Sequence, residues 1–217
     1  MRLNMKIAII GATGMAGTEL YKESVLRGHE VTAIVRHKDK AVSLLGNGVK
    51  VIDKDVFDFT RSDLEGFDVI INAFATAPAK AYLHLDLAAK LVNFFRETEK
   101  PRLFFILGAA SLLDENNNLF LDTLKTIPEV APWISIPVEA YKTLNFLRSI
   151  ENVNWVGVSP SAEFIAGEAT VPVLGKDHLL TSSKGESVVT SGTMAVAILD
   201  EVEDPQFIRT RFTVCNQ

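Results

Sequence analysis

The chain has 217 residues, enough for one α/β domain with a small appendage, and it is 47% hydrophobic and 23% charged, the balance of a protein with a real core. Its formal net charge of −5 argues against nucleic acid or an anionic membrane as partner. Its one cysteine, Cys215, excludes an intrachain disulfide, and no apolar run approaches the length of a membrane span.

The chain opens on Met1-Arg2-Leu3-Asn4, followed by an apolar run too short for a signal segment, so the cytoplasm is the expected compartment. That run, Ile7 to Ile10, has the character of a strand buried on both faces. It continues into Gly11-Ala12-Thr13-Gly14-Met15-Ala16-Gly17 and then into helical spacing over Thr18–Arg27. A strand that ends in glycines and opens a helix makes an anion site, because the helix N-terminus offers unpaired N–H groups and the positive end of a dipole. Gly11 suits the tight turn, Gly14 the approach of a pyrophosphate, and Gly17 close packing of helix on strand.

Gly28 caps the helix, and Val31–Val35 is a β-branched strand, which completes a βαβ unit. The strand ends in Arg36-His37-Lys38, where a dinucleotide fold places the adenosine ribose. An acid there would hold the 2′-hydroxyl of NAD; Arg36 instead suits a 2′-phosphate, which predicts NADP(H) over NAD(H). The alternative is that Arg36 and Lys38 are solvated loop charges. A short helix over Asp39–Leu45 precedes a third strand, Val49–Asp53. Beyond it, Asp55 and Val56 suit the rim of an adenine pocket, Asp55 toward the exocyclic amine and Val56 against the ring. Alternatively Asp55 and Asp58 cap the next turn. Ser62–Glu65 is a short helical turn.

Phe67–Ala75 contains the fourth strand and its exit. Ala73, Phe74 and Ala75 fall where backbone approaches the dinucleotide, and Asn72 ties neighbouring loops together. Tyr82–Glu97 is an amphipathic helix carrying Leu83, Leu87, Leu91, Phe94 and Phe95. His84, with no second ligand type at i+4, is expected on the helix surface rather than at a metal, and no metal site is expected in the chain. Arg102–Leu107 is the fifth strand and leads to Ser111, where the nicotinamide should lie; Ser111 is the candidate catalytic group, able to hydrogen-bond a substrate carbonyl or the carboxamide.

The glycine motif Gly11–Gly17, the order of elements and Arg36 after the second strand resemble the atypical short-chain dehydrogenase/reductases. Within them the likeness is to the NAD(P)-binding, NmrA-like group and to bacterial NADH-flavin reductases of the biliverdin reductase B type, and Ser159–Phe164, Gly185–Ser187 and Phe207–Val214 carry it to the end of the chain. The resemblance implies a Rossmann-type, doubly wound parallel sheet with helices on both faces and a small C-terminal lobe. It implies NADP(H) at Gly11, Thr13, Gly14, Met15, Ala16, Gly17, Arg36, Asp55, Val56, Ala73, Phe74 and Ala75, with Pro160 bordering the nicotinamide. It also implies hydride transfer to a flavin such as FMN, or to a similar flat aromatic acceptor such as a quinone. The alternative is an NADP-binding redox sensor that does not turn over. One departure bears on the choice. The Tyr-x-x-x-Lys acid of ordinary short-chain dehydrogenases is absent, since the fourth residue after Tyr141, on the predicted helix Val138–Ser149, is Asn145.

Between these elements, Leu112–Pro137 is a long connection expected on the substrate side. There Leu119, Phe120, Trp133 and Ile134 either wall a flat acceptor or form a satellite core. After a sixth strand, Asn154–Val158, residues 160–190 are expected to form the small lobe. It would hold a short strand near Val171 and a hairpin of Leu179-Leu180 with Ser187–Val189. A helix over Thr193–Glu203 and a closing strand over Phe207–Cys215, with Cys215 as a small apolar residue, complete a single domain over residues 1–217.

Overall fold

A computed structural model describes residues 4–217; residues 1–3, on which the reading of the chain's start partly rests, lie outside them. Five parallel strands follow in the first half and at its boundary: β1 (Lys6–Ile10), β2 (Glu30–Val35), β3 (Lys50–Asp53), β4 (Val69–Asn72) and β5 (Thr98–Ile106). The helices between them are α1 (Met15–Leu26), α2 (Lys38–Leu45) and α3 (Leu83–Phe94). The second half supplies α4 (Phe120–Lys125), α5 (Ser135–Arg148), β6 (Val153–Pro160), β7 (Glu163–Ile165), β8 (Pro172–Gly175), β9 (Val188–Thr190), α6 (Ser191–Glu203) and β10 (Thr210–Asn216).

The main sheet has the order β3-β2-β1-β4-β5-β6-β10-β8, parallel except for β8, which runs antiparallel to β10 at the edge. Strand period explains why β1 is a continuous apolar run. Ile7 and Ile9 point to one face, against Leu20 of α1 and Ile198 and Val202 of α6; Ala8 and Ile10 point to the other, against the layer of α3 and α5. Trp155 and Phe105 are buried on that second face and Phe212 on the first. This is the doubly wound Rossmann-type fold. Chain order reverses between β1 and β4, which opens a crevice at the carboxyl ends of those strands.

The C-terminal third departs from the expected pieces. Ser183–Gly185 does make a turn, with Ser182 N donating to Glu186 O at 2.8 Å, but no hairpin follows. Leu179 N donates to Leu113 O, and Val188–Thr190 pairs in parallel with Glu163–Ile165 as a separate two-stranded sheet. A lone hairpin buries too little to hold its register, whereas β9 placed beside β7 buries Val189 completely. The strand expected near Val171 starts one residue later, as β8. Cys215 is fully buried on β10. The long connection is not bare loop: it contains α4 and a 3₁₀ segment, Pro128–Trp133. Among the described residues no helix is long and apolar enough to cross a membrane.

Candidate cofactor and acceptor site

The glycine loop is built by two close approaches. Gly11 adopts φ +77°, and a β-carbon there would lie 2.6 Å from Ala73 O. One on Gly17 would lie 2.1 Å from Gly11 O, so only hydrogen fits where α1 crosses the loop. Gly14 is different: its φ is −85°, and a β-carbon would meet only Gly11 O at 3.2 Å. The space a side chain would fill there is the open face of the loop. α1 has neither an acidic residue in its first turn nor a side-chain cap. The amides of Met15, Ala16 and Gly17 find no acceptor among the described residues, while Gly14 N is bonded to Gly11 O at 2.9 Å. Free donors, a positive dipole end and a bare Cα form a cradle that fits a pyrophosphate.

A cavity of about 730 Å³ extends from this loop. Gly11, Thr13, Gly14, Arg36, Asp55, Val56, Ala73, Phe74 and Ala75 all line it; Met15, Ala16 and Gly17 are not in its lining and follow Gly14 as the first turn of α1. The end of β2 presents Arg36, His37 and Lys40, all exposed, and Arg36 and Lys40 have no ion-pair partner among the described residues. Lys54 at the same rim is paired with Asp63 at 2.8 Å, a contact that, with the Thr60 donors, holds the Asp63 carboxyl down at about 2. Asp55 realises the capping alternative: Oδ1 accepts from Phe57 N at 2.9 Å, while the residue still lines the cavity. Val56 is buried beneath it.

Phe74 also lines a second cavity of about 370 Å³. Its floor is Gly108, Ala109 and Ala110, in the turn after β5, and Pro160 closes the end of β6. Asn72 Oδ1 accepts from Phe74 N at 3.1 Å and fixes the shared wall. α5 contributes Ile136, Pro137, Ala140 and Thr143. Tyr141 is not in the cavity's lining and packs on the satellite core of Ala110, Leu121, Leu124 and Val130. The helix face that carries an acid and a lysine in ordinary short-chain dehydrogenases is therefore apolar here. In the connection, Phe120 and Trp133 line the cavity, and Leu119, Ile134 and Phe120 pack on the satellite core.

Ser111 does not reach either cavity. It is 6% exposed, and its hydroxyl accepts from Arg211 Nη1 at 3.0 Å; Ser159 shares the same nitrogen at 3.0 Å. Arg211, on β10, lies beneath the cavity floor, and its Nη2 meets Asp177 at 2.7 Å. Burial lowers the pKa of Arg211, and the guanidinium in turn holds the Asp177 carboxyl below its usual range. The turn after β5 puts Ser111 one residue past the cavity floor, and its hydroxyl is taken by Arg211. The opposite correction applies to His84. It is half-buried on the wall of the second cavity, its ring edge-on to Phe74 at 5.4 Å and 71°. A signal was available: helices of this fold start at the carboxyl ends of strands, so the first turn of α3 borders the site and a histidine in it faces the ligand end.

Comparison with known proteins agrees with this geometry. A family model described as NAD(P)H-binding matches residues 11–205. The uncharacterized protein YwnB of Bacillus subtilis is 38% identical over 217 residues, covering 98% of this chain and 99% of that one. A crystal structure from Lactobacillus casei superposes with a TM-score of 0.91 at 40% identity, covering 98% and 99% of the two chains. A Streptococcus pneumoniae structure, described as "a putative NADH-flavin reductase", does so at 0.88 and 34% identity, covering 99% and 100%. The glycine cradle, the switch-point crevice and these matches place the chain in the NAD(P)H-binding family, among the atypical, NmrA-like short-chain dehydrogenase/reductases.

Proposed function

We propose that the protein is an NADP(H)-dependent reductase of a flat conjugated acceptor, a flavin such as FMN or a quinone. The observation that carries this is the pair of cavities meeting at Phe74: one cradles a dinucleotide, and the other is apolar and lacks the tyrosine–lysine acid that alcohol and sugar chemistry needs. NADPH, when bound, supplies a hydride. Met15, Ala16 and Gly17 would offer amides to its pyrophosphate, and the Arg36 fork, which lines the cavity, suits a 2′-phosphate. Val56 and Asp55 face the adenine. Pro160, with no N–H, offers the nicotinamide side only its ring and carbonyl. Phe120, Trp133 and Phe164 would exclude water from the acceptor and hold it face to face with the nicotinamide, and that positioning is the main contribution a protein makes to hydride transfer between planar systems.

The test is a titration with NADPH and NADH, followed by turnover with FMN, riboflavin and menadione. The reading expects NADPH to bind more tightly than NADH and at least one acceptor to oxidise it well above the rate without enzyme. Arg36→Asp should weaken NADPH by about 10- to 100-fold, the worth of charged hydrogen bonds to phosphate, and leave NADH nearly unchanged. Tight NADPH binding with no oxidation by any acceptor would favour the NADP-binding sensor, the reading that the apolar face of α5 also supports.

A further inference from the structure

The acceptor cavity is apolar, and most of its polar side chains are committed elsewhere. Thr143 Oγ1 donates to Glu139 O at 2.8 Å, Ser161 Oγ donates to Val214 O at 2.7 Å, and Asn72 Oδ1 is taken by Phe74 N. His84 is the one titratable side chain on the wall, and neither ring nitrogen has a hydrogen-bond partner among the described residues. It sits edge-on to Phe74, which lines both this cavity and the cofactor cleft. Burial is the larger influence on its charge and lowers its pKa. Glu139 of α5, bonded to Lys142 at 2.6 Å, is the one charged group that acts against this. Burial thus favours the neutral ring, which has one N–H to give.

We propose that His84 is the polar contact for the acceptor, donating its ring N–H to a carbonyl oxygen or ring nitrogen conjugated to the atom that receives hydride. This rests on the reductase reading above. In the reaction the acceptor gains one hydrogen and two electrons as the C–H bond of the reduced nicotinamide breaks and a new bond to hydrogen forms; the nicotinamide is left oxidised. The negative charge gathers on the conjugated heteroatom, where the His84 N–H holds it until a proton from water neutralises it. The acceptors this admits are conjugated carbonyls and nitrogen heteroaromatics. A donor aimed at developing charge in a water-poor cavity contributes on the order of 100- to 1,000-fold to kcat.

Two variants test the role: His84→Phe keeps a ring and removes the donor, and His84→Gln keeps an N–H. Binding of oxidised riboflavin without nucleotide is followed by quenching of Trp133, which stands in the same wall. His84→Phe is expected to weaken riboflavin by about 10-fold, lower kcat by about 100-fold and leave NADPH affinity and melting temperature unchanged, with His84→Gln recovering part of both losses. Riboflavin binding and kcat that match the wild type in His84→Phe would overturn the role of His84 and leave the reductase standing. A wild-type protein that binds NADPH and reduces neither riboflavin nor menadione would overturn both.

Discussion

Gly14 and Gly17 lie three residues apart in one motif and fail differently when changed. A side chain at Gly17 drives into Gly11 O and Ala12 Cα, 2.1 and 2.7 Å away, and both are backbone atoms that cannot step aside. Gly17→Ala should cost about 1–3 kcal/mol of stability or more, read by urea denaturation, because overpacking forces the helix off the strand. At Gly14 the only neighbour is 3.2 Å away. Gly14→Val should therefore fold with a near-normal urea midpoint and lose NADPH binding, read by fluorescence titration. A folded Gly14→Val with normal affinity would remove the pyrophosphate from this loop. The motif alone named both glycines; which serves the fold and which the ligand follows from what each hydrogen faces.

At the scale of elements, the floor of the second cavity is held from below by a charge. Arg211 on β10 donates to Ser111 and Ser159 and is tied to Asp177, in the segment between β8 and β9. The Asp177 carboxyl is held below its usual range by that arginine. A carboxylate with a depressed folded pKa adds stability above its unfolded value of about 3.9 and loses it as pH falls through the folded one. The melting temperature of wild type should exceed that of Asp177→Asn at pH 6, and the gap should close as pH drops below about 4. Asp177 is more than half exposed, so solvent screening keeps the gap small. A gap independent of pH would mean that packing, not charge, fixes this segment. None of this was legible in the chain: Ser111, Asp177 and Arg211 are far apart in sequence, and Ser111 looked like an active-site hydroxyl because its place after β5 is right while its direction is set by a partner on the last strand.

Across the whole molecule, the halves of the chain are joined by a buried ion pair. Arg102 on β5 donates to the carboxylate and the backbone carbonyl of Glu201 on α6 and to Phe207 O, and stands over the Phe104 ring at 4.9 Å. The Glu201 carboxylate also accepts from the amides of Gln206 and Phe207, both at 2.9 Å. Both side chains are nine-tenths buried or more. Arg102→Met strands a buried carboxylate and should cost about 3–5 kcal/mol. β10 lies inside the sheet, between β6 and β8, so the loss should appear as one cooperative urea transition shifted to lower midpoint, the same by circular dichroism and by tryptophan fluorescence. Two separated transitions would mean that the C-terminal elements fold as their own unit.

The sequence by itself determined the parts whose information is local. Apolar runs of strand length, helical spacing between them and glycines at one strand end specify a doubly wound sheet and the place of its anion cradle, because period and backbone freedom act over a few residues. The tertiary structure alone decided what depends on partners remote in the chain: that β9 pairs with β7 rather than in a hairpin, that Phe120 lines the second cavity while Leu119 does not, that Ser111 is spent on Arg211, and that His84 stands in the cavity wall. A side chain's direction is fixed by which distant surface completes its burial or its hydrogen bonds, and that surface exists only once the sheet has closed around it.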